Sequence, residues 1–288
     1  MTQLYLDTKR ALQRGLENTI DRQQLIEETQ QEAMQGLQRR GLNEKTVLRL
    51  WQTVGDDYFL RENAVDIVWH TEAIIDHGDA QAPLILAKEG VHRAGGRAMQ
   101  IFIRIHAEQN VFAAAVSALD QLCLNIQDAR IYSTVDNYTM DTFYVLGDTG
   151  MATDKNATYI DTVKQTLIDE LSLRGSYGDI IRHHRHVRRQ LKHFTAPTRT
   201  RLDNTISNDY TVLEVISPDR PGLLALIGRI FVEFDIQLAN AKIATLGERV
   251  EDVFYITDAQ GRCLSDPQLC QTLQQKIRHQ LDISSSCQ

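Results

Sequence analysis

The segment with the clearest chemical character is Ser217–Leu224 (SPDRPGLL), which joins a β-branched run to an apolar pattern of helical period. Proline fits the first turn of a helix, and Gly222, which has no Cβ, lets the backbone come close to a ligand. Because proline lacks an N–H group, the donors left at this helix start belong to Gly222, Leu223 and Leu224. With the helix dipole, these donors suit a carboxylate. A well-capped β-to-α connection accounts for the same residues without a ligand.

The residues that could carry out catalysis or bind a metal ion do not match the sequence patterns that such sites require. A nucleotidyltransferase needs a Gly-Ser loop and then paired aspartates that hold Mg²⁺ at a triphosphate, and Gly175-Ser176 with Asp179 lacks the second carboxylate. A His-Asp hydrolase needs its two metal ligands side by side, and the sequence contains no His-Asp dipeptide. The histidines of residues 183–193 are interleaved with arginines, which would repel a cation. We therefore predict no catalytic residue, no metal site and no cofactor in this chain.

The first part of the chain, residues 1–82, is predicted to be helical. Asn43 can cap a helix that carries Val47 and Trp51 on one face, and a further helix starts near Asn63. Almost no strand pattern interrupts this stretch. We expect three or four short helices that form a small bundle or a connector.

The rest of the chain contains two similar copies of one pattern, offset by about 110 residues. Residues 101–150 match residues 212–261, and Phe143 falls on Phe254. Each copy has the order strand, helix, strand, hairpin, strand, turn, helix, with an apolar helix stripe and alternating strands that can receive it. This order predicts an α+β fold, in which a helical connector is followed by two ferredoxin-like βαββαβ domains with their helices on one sheet face.

The predicted domain boundaries follow the changes in pattern. They are a helical connector at residues 1–82, a first domain at 83–180, a basic linker or extra strand at 181–208 and a second domain at 209–288. Only Ile283-Ser284 follows the last predicted helix. The fourth strand of the second domain is therefore short, missing or supplied by another segment, for which Leu191–Leu202 is a candidate.

Composition limits the classes of function. The 288 residues carry a formal net charge of −7, which disfavours general attraction to nucleic acid, although residues 182–201 form a basic block. No apolar run approaches the roughly 20 residues that cross a bilayer, so we expect no membrane partner. The N-terminal residues lack the zones of a secretory signal, and the expected compartment is the cytoplasm.

The DRPGLL junction, followed by ANAKI and a VEDVFYI strand, resembles an ACT domain. Domains of this family typically bind amino acids at subunit or repeat interfaces, so the resemblance gives the loop a class of ligand. In the first copy the corresponding loop, Ala107–Val111, lacks the Pro-Gly pair and the Asp-Arg order. The resemblance and the donor argument together indicate these ligand-binding residues: Asp219, Arg220, Gly222, Leu223 and Leu224, with Asn240 on the neighbouring strand and Asp128 as its first-copy counterpart.

Longer stretches extend the resemblance to one enzyme family. GERVEDVFYIT in the last copy, LKHFT in the linker and QLYLDTKRALQRGL ahead of the helices are similar to the C-terminal portion of the protein-PII uridylyltransferase/uridylyl-removing enzyme family. The resemblance implies a glutamine-sensing region, with residues 1–82 as the tail of an upstream catalytic domain. It also implies that Mg²⁺ and the catalytic domains, which act on the PII signalling protein, belong to the parent enzyme outside this chain.

A rival interpretation is a binding module without a small-molecule ligand. In it the two domains pair through sheet edges or helices, and the basic block contacts an acidic protein or binds nucleic acid weakly. Regulation by glutamine would instead work by linkage, because a ligand that favours one arrangement of the domains shifts their equilibrium toward it.

Overall fold

The computed structural model describes residues 19–78, 82–91, 97–107, 111–122, 124–146, 156–172, 196–220, 222–246 and 249–286. In chain order the elements are α1 (Thr19–Arg39), α2 (Glu44–Trp51), α3 (Asp56–Arg61), α4 (Ala64–His77), β1 (Leu84–Val91), β2 (Arg97–His106), α5 (Val111–Gln121), β3 (Asn125–Ser133), β4 (Tyr138–Leu146), α6 (Asn156–Ser172), β5 (Arg199–Asp203), β6 (Thr211–Pro218), α7 (Leu223–Glu233), β7 (Gln237–Lys242), β8 (Thr245–Leu246), β9 (Arg249–Thr257) and α8 (Pro267–Ser286).

Some sequence features lie outside the described residues. These are Pro221, residues 108–110 of the first-copy loop, the Gly175-Ser176 pair with Asp179, and the part of the basic block up to residue 195 with its histidines. In the part of the chain that is described, no helix combines the length and apolar character that a membrane span requires.

The chain divides into two compact units. The first contains the residues up to Leu84 together with Arg104–His106 and Tyr132–Met140, and the second contains Ile85–Ile103, Ala107–Ile131 and the residues from Asp141 onward. The helices α1 to α4 thus form one unit with the end of a hairpin, while both copies of the repeated pattern contribute to the other.

Two asparagine caps set helix starts in the first unit. The side chain of Asn43 accepts a hydrogen bond from the backbone N–H of Lys45 at 2.9 Å, immediately before α2. The side chain of Asn63 accepts one from the backbone N–H of Asp66 at 2.9 Å, before α4. These bonds satisfy donors that the first turn of a helix leaves without partners. The helix starts predicted at both asparagines are confirmed.

Aromatic side chains form the core of the first unit. Trp51, Tyr58 and Phe59 are buried, and Phe59 packs edge to face against the other two rings, with centroid distances of 5.4 Å and 5.2 Å. Their polar atoms are satisfied inside this core. Trp51 Nε1 donates to the hydroxyl of Thr71 at 3.0 Å, and the Tyr58 hydroxyl is 3.0 Å from Nδ1 of His70.

The hairpin between β3 and β4 is fastened to these helices. The backbone N–H of Val135 donates to the carbonyl oxygen of Thr53 at 2.9 Å. The hydroxyl of Tyr132 donates to the carboxylate of Glu62 at 3.1 Å, and both side chains are buried. A hydrogen bond between two buried polar groups holds Tyr132 and Glu62 together, because neither group can turn to water.

Each repeat consists of a β-sheet and its helices, as predicted for the α+β class. The first sheet has the strand order β1-β2-β4-β3, and the second has β5-β6-β9-β7 with the short β8 paired to β9. Both orders are ferredoxin-like, with the strand that precedes the helix in a central position. One detail differs from the predicted βαββαβ order: in both repeats the fourth strand comes first along the chain, which gives ββαββα.

The fourth strand of the second repeat is β5, which runs antiparallel to β6 from Arg199 opposite Ile216 to Asp203 opposite Val212. It overlaps the end of the stretch Leu191–Leu202 that was named as a candidate donor. An edge strand can close this side of the sheet from either end of the domain, because only its pairing with β6 is required.

The strand register of the second repeat defines the two faces of its sheet. Phe254 on β9 packs edge to face against Phe231 on α7, with ring centroids 5.4 Å apart, so the side of the sheet that Phe254 occupies faces the helices. We call this side the inner face and the opposite side the outer face. Phe254 pairs with Leu213, and Asp252 pairs with Val215. Because side chains alternate along a strand, Asp252 also lies on the inner face.

The two repeats meet through helices α5 and α7. All nine residues of α5 from Val111 to Leu119 are buried, and four of them are alanine. The two helices approach closely at Gly228 on α7, where an added Cβ would lie 2.9 Å from the Cα of Ala113. Small residues on both helices therefore permit a backbone-to-backbone contact that larger side chains would prevent.

We expect Gly228→Ala to destabilise the chain although alanine favours helix formation by about 1 kcal/mol. The added methyl group overpacks the contact with Ala113, at a cost of about 1–3 kcal/mol. Urea unfolding followed by circular dichroism should show a net loss of about 1 kcal/mol. Val232→Ile, which adds one carbon to a half-buried position of the same helix, should change the free energy of unfolding by less than about 0.5 kcal/mol. A Gly228→Ala variant as stable as the natural chain would contradict this account of the helix contact.

Candidate functional site

The loop between β6 and α7 places Gly222 at the helix start in the left-handed region, with φ 76° and ψ 4°. Its carbonyl oxygen accepts the first intrahelical hydrogen bond, from the N–H of Leu226 at 2.9 Å. Residues with a Cβ rarely adopt this conformation. The turn itself therefore requires glycine, whereas sequence reasoning assigned the residue only to close ligand approach. A substitution such as Gly222→Val would strain the turn as well as fill space.

The two leucines that follow have their side chains in the core, where Leu223 is 4% and Leu224 is 9% exposed. Only their backbone groups can face a ligand. The N–H of Leu223 makes a long hydrogen bond, 3.4 Å, to the carbonyl oxygen of Arg220. The first turn of α7 thus offers the backbone donors predicted for a carboxylate, with the donor of Leu223 partly engaged by the loop.

Asp219, the acidic residue of the loop, reaches the other repeat. Its carboxylate accepts hydrogen bonds from the side chain of Asn125 and from the backbone N–H of Arg220. Burial raises the pKa of Asp219, and both hydrogen bonds act in the opposite direction. Asn125 is the first residue of β3 in the first repeat. The loop of the second repeat therefore lies at the boundary between the two repeats.

A second carboxylate, Asp252, lies close enough to Asp219 to interact with it electrostatically. Asp252 is 0% exposed, and its Oδ1 accepts a hydrogen bond from the N–H of Ala244 at 3.2 Å. Its Oδ2 has no hydrogen-bond partner among the described residues. Burial is the largest cause that raises the pKa of Asp252 to about 8; the Ala244 N–H lowers it, and the charge of Asp219 raises it further. This pair of carboxylates is suited to a positively charged group.

Arg220 is directed toward the C-terminal helix. Burial lowers the pKa of Arg220, while the carboxylate of Asp282 on α8 raises it. Asp282 also accepts a hydrogen bond from the backbone N–H of Thr198 at 3.0 Å, and the hydroxyls of Thr198 and Ser217 are 3.1 Å apart. These contacts tie the end of β6 to the segment before β5 and to α8. Through its interaction with Asp282, Arg220 has a structural role. Its contact with a ligand stays a prediction.

The other two predicted residues, Asn240 and Asp128, have different surroundings. Asn240 is opposite Tyr255 on β9, so strand alternation places it on the outer face of the sheet, away from Asp252. Asp128 in the first repeat forms an ion pair with Arg130 at 3.3 Å. The structure thus places Asp219 and Gly222 together at the first turn of α7, and the contact of Asn240 and Asp128 with a ligand stays a prediction.

Sequence reasoning missed Asp252 and Asn125. A signal for Asp252 was present, because the alignment that places Phe143 on Phe254 also places Asp141 on Asp252. Both aspartates stand in the middle of apolar strands, and both are buried. A carboxylate inside a hydrophobic strand is costly unless it has a task. Asn125 gave no such signal, because its role depends on the packing of one repeat against the other.

No group of three or more histidine, cysteine, aspartate and glutamate side chains in the described ranges is placed to hold a metal ion. The site formed by Asp219, Asp252 and the start of α7 can bind a zwitterion: backbone N–H groups face an anion, and carboxylates face a cation. We use the name inter-repeat site for these residues together with Asn125 and Ala244.

Asp252→Asn should change how stability depends on pH. The folded pKa of about 8 lies above the ordinary value of 3.8, so between these pH values the folded state holds a proton that the unfolded state releases. The free energy of unfolding should therefore fall as pH rises from about 4 to about 8, by up to about 1.4 kcal/mol per pH unit from this group.

Urea unfolding at pH 5, 6, 7 and 8 would measure the effect. Asp252→Asn should lose this part of the pH slope and gain stability relative to the natural chain as pH rises. The exposed loop variant Asp209→Asn should keep the slope. Parallel curves for Asp252→Asn and the natural chain would show that Asp252 is ionised in the folded protein.

Comparison with known proteins agrees with the division seen in the structure. Residues 21–73, which span most of helices α1 to α4, match the family described as uridylyltransferase GlnD fifth domain. Residues 199–285 match a family described as an ACR9-like, ACT-like domain. This second match begins at the first residue of β5, so it includes the strand that precedes the second repeat.

Whole-chain similarity points to one kind of protein. The bifunctional uridylyltransferase/uridylyl-removing enzyme of Pseudomonas aeruginosa is 48% identical over 281 residues, or 98% of this chain. The enzymes of that name from Pseudomonas fluorescens and Stutzerimonas stutzeri are 48% and 47% identical over 284 and 281 residues. The chain spans 31% of the length of each of these relatives. It is a homologue of the C-terminal, ACT-bearing region of the bifunctional uridylyltransferase/uridylyl-removing enzymes.

Proposed function

We propose that this chain is a regulatory region that binds glutamine at the inter-repeat site and thereby controls uridylyl transfer and removal by catalytic domains outside it. The PII signalling protein would be an indirect partner, as the target of those domains, and Mg²⁺ would serve them and not this chain. Nucleic acid and membranes are not among the proposed partners, and the proposed compartment is the cytoplasm. The observation that carries the proposal is the pair of carboxylates beside the start of α7, at the boundary between two repeats: Asp252 is buried and Asp219 is half-buried.

The charges of the site match those of an α-amino acid. The first turn of α7 offers backbone N–H groups and the positive end of a helix dipole for the α-carboxylate. Asp219 and Asp252 offer negative charge for the α-ammonium group. Hydrogen bonds to charged groups contribute about 1.5–3 kcal/mol each, so two or three of them support micromolar to millimolar affinity after the entropy loss of binding.

Glutamine in particular follows from the resemblance to the enzyme family. Its side-chain amide needs both a donor and an acceptor, and the amide of Asn125, which already contacts Asp219, is a suitable group at the same place. A ligand here would touch residues of both repeats. Such a ligand favours the arrangement of the repeats in which those residues meet, which is the requirement for transmitting occupancy by linkage.

Titration calorimetry with L-glutamine tests the proposal, with Asp219→Asn as the variant. The asparagine keeps the size of the side chain and removes its charge, so the affinity should fall about tenfold to a hundredfold. The exposed variant Asp209→Asn should bind like the natural chain, and melting curves should show that all three proteins are folded.

Two outcomes would count against the proposal. Absence of binding by the natural chain up to millimolar glutamine would favour the rival function, a protein-interaction module without a small-molecule ligand. Equal affinities for Asp219→Asn and the natural chain would mean that glutamine binds elsewhere in the chain.

A further inference from the structure

Asp252 is a buried carboxylate with few hydrogen-bond donors around it to stabilise its negative charge. It sits in the middle of β9 on the inner face, is 0% exposed, and receives one described hydrogen bond, from the N–H of Ala244. Ala244 is itself held in place, because its carbonyl oxygen accepts the N–H of Glu251 at 2.9 Å. The second carboxylate oxygen has no hydrogen-bond partner among the described residues. A carboxyl group in this position is either protonated or, if ionised, paired with a cation.

The loop beside Asp252 does not supply that cation. Asp219 adds a second negative charge, which disfavours ionisation of Asp252. The charge of Arg220 acts together with that of Asp282 on α8, and the charge that acts on Asp252 is that of Asp219.

Charged groups on the neighbouring elements are directed elsewhere. On α7, Arg229 interacts with Asp120 of α5. On β9 itself, Arg249 and Glu251 form an ion pair with each other, and their alternate position puts Glu251 on the outer face. Lys242 on β7 lies on the outer face by its register with β9. Among the described residues, Asp219 is therefore the charged group that acts on Asp252.

We propose that Asp252 is the subsite for the ammonium group of the ligand and that binding there releases one proton from the Asp219–Asp252 pair. The inference rests on the proposed function, because it takes an α-amino acid as the ligand. In the empty site the carboxyl group of Asp252 is protonated near neutral pH, in keeping with its raised pKa of about 8. When the ligand enters, this O–H bond breaks, the proton passes to solvent, and the ammonium group keeps its own protons and faces the new carboxylate.

Proton release gives the site a defined selectivity. The ammonium group of the ligand compensates for the proton that Asp252 loses. A ligand without a positive charge therefore gains no binding free energy at Asp252. The matching 2-oxo acid and an N-acylated amino acid keep the carboxylate for the start of α7 and lack the cation. They should bind at least tenfold more weakly than the free amino acid. The site would then bind amino acids in preference to their deaminated counterparts.

Calorimetry of L-glutamine binding to the natural chain between pH 6 and pH 8 tests the coupling. Well below pH 8, the association constant should rise up to tenfold for each pH unit, and this slope should flatten as pH approaches 8. Titrations in phosphate and in imidazole at pH 6.5 should differ in heat, because close to one proton per bound glutamine passes to the buffer. At pH 8, where Asp252 is about half ionised before binding, the difference between the two buffers should be about half as large.

Asp252→Asn provides the matched variant, since it keeps the shape of the protonated side chain and should fold, which a melting curve verifies. Its glutamine affinity at pH 8 should be at least tenfold lower, with no pH slope and no buffer dependence. N-acetyl-glutamine serves as the ligand control on the natural chain.

The possible outcomes separate this inference from the proposed function. Glutamine binding that is independent of pH and buffer would overturn proton coupling and leave the glutamine site standing. N-acetyl-glutamine binding as tightly as glutamine would overturn the ammonium subsite. Absence of glutamine binding at every pH would overturn the proposed function together with this inference.

Discussion

The close contact between helices α5 and α7 is the constraint on which the inter-repeat site depends. Gly228 and Ala113 let the two backbones approach to the distance at which even one methyl group would clash. This contact brings the first residue of β3 to the loop of the second repeat, where Asn125 bonds Asp219. Without it, Asp219 would be a surface carboxylate and the first turn of α7 would be an ordinary helix start. The site exists because two similar domains pack through small residues.

Burial of Asp252 makes the site chemically unusual. A protein core normally excludes a carboxylate that lacks partners, and the usual consequence is a raised pKa and a protonated side chain. Such a group lowers stability at the pH values where it would ionise, so the folded chain gains by binding a cation. A buried carboxyl group that lowers stability when it ionises is a candidate for ligand recognition.

Local sequence predicted the parts of the structure that depend on neighbours along the chain. The caps at Asn43 and Asn63, the duplicated pattern and the strand-to-helix loop follow from residue types and spacing. Features that depend on tertiary contacts were not predicted from the sequence. Gly222 revealed its left-handed turn only in the structure, and the order of strands became clear only from the pairing of β5 with β6. Asp252 was visible in the alignment of the two copies, but its burial required the register of β9.

Carbon-13 NMR of the Asp252 carboxyl group, assigned by comparison with Asp252→Asn, tests the central claim most directly. The claim is that this side chain is protonated in the empty site and ionised when an amino acid is bound. It predicts a titration midpoint near pH 8 without ligand, and an ionised carboxylate at pH 7 when glutamine saturates the protein. A midpoint near the ordinary value of 3.8 without ligand, or a carboxyl signal that saturating glutamine leaves unchanged, would contradict it.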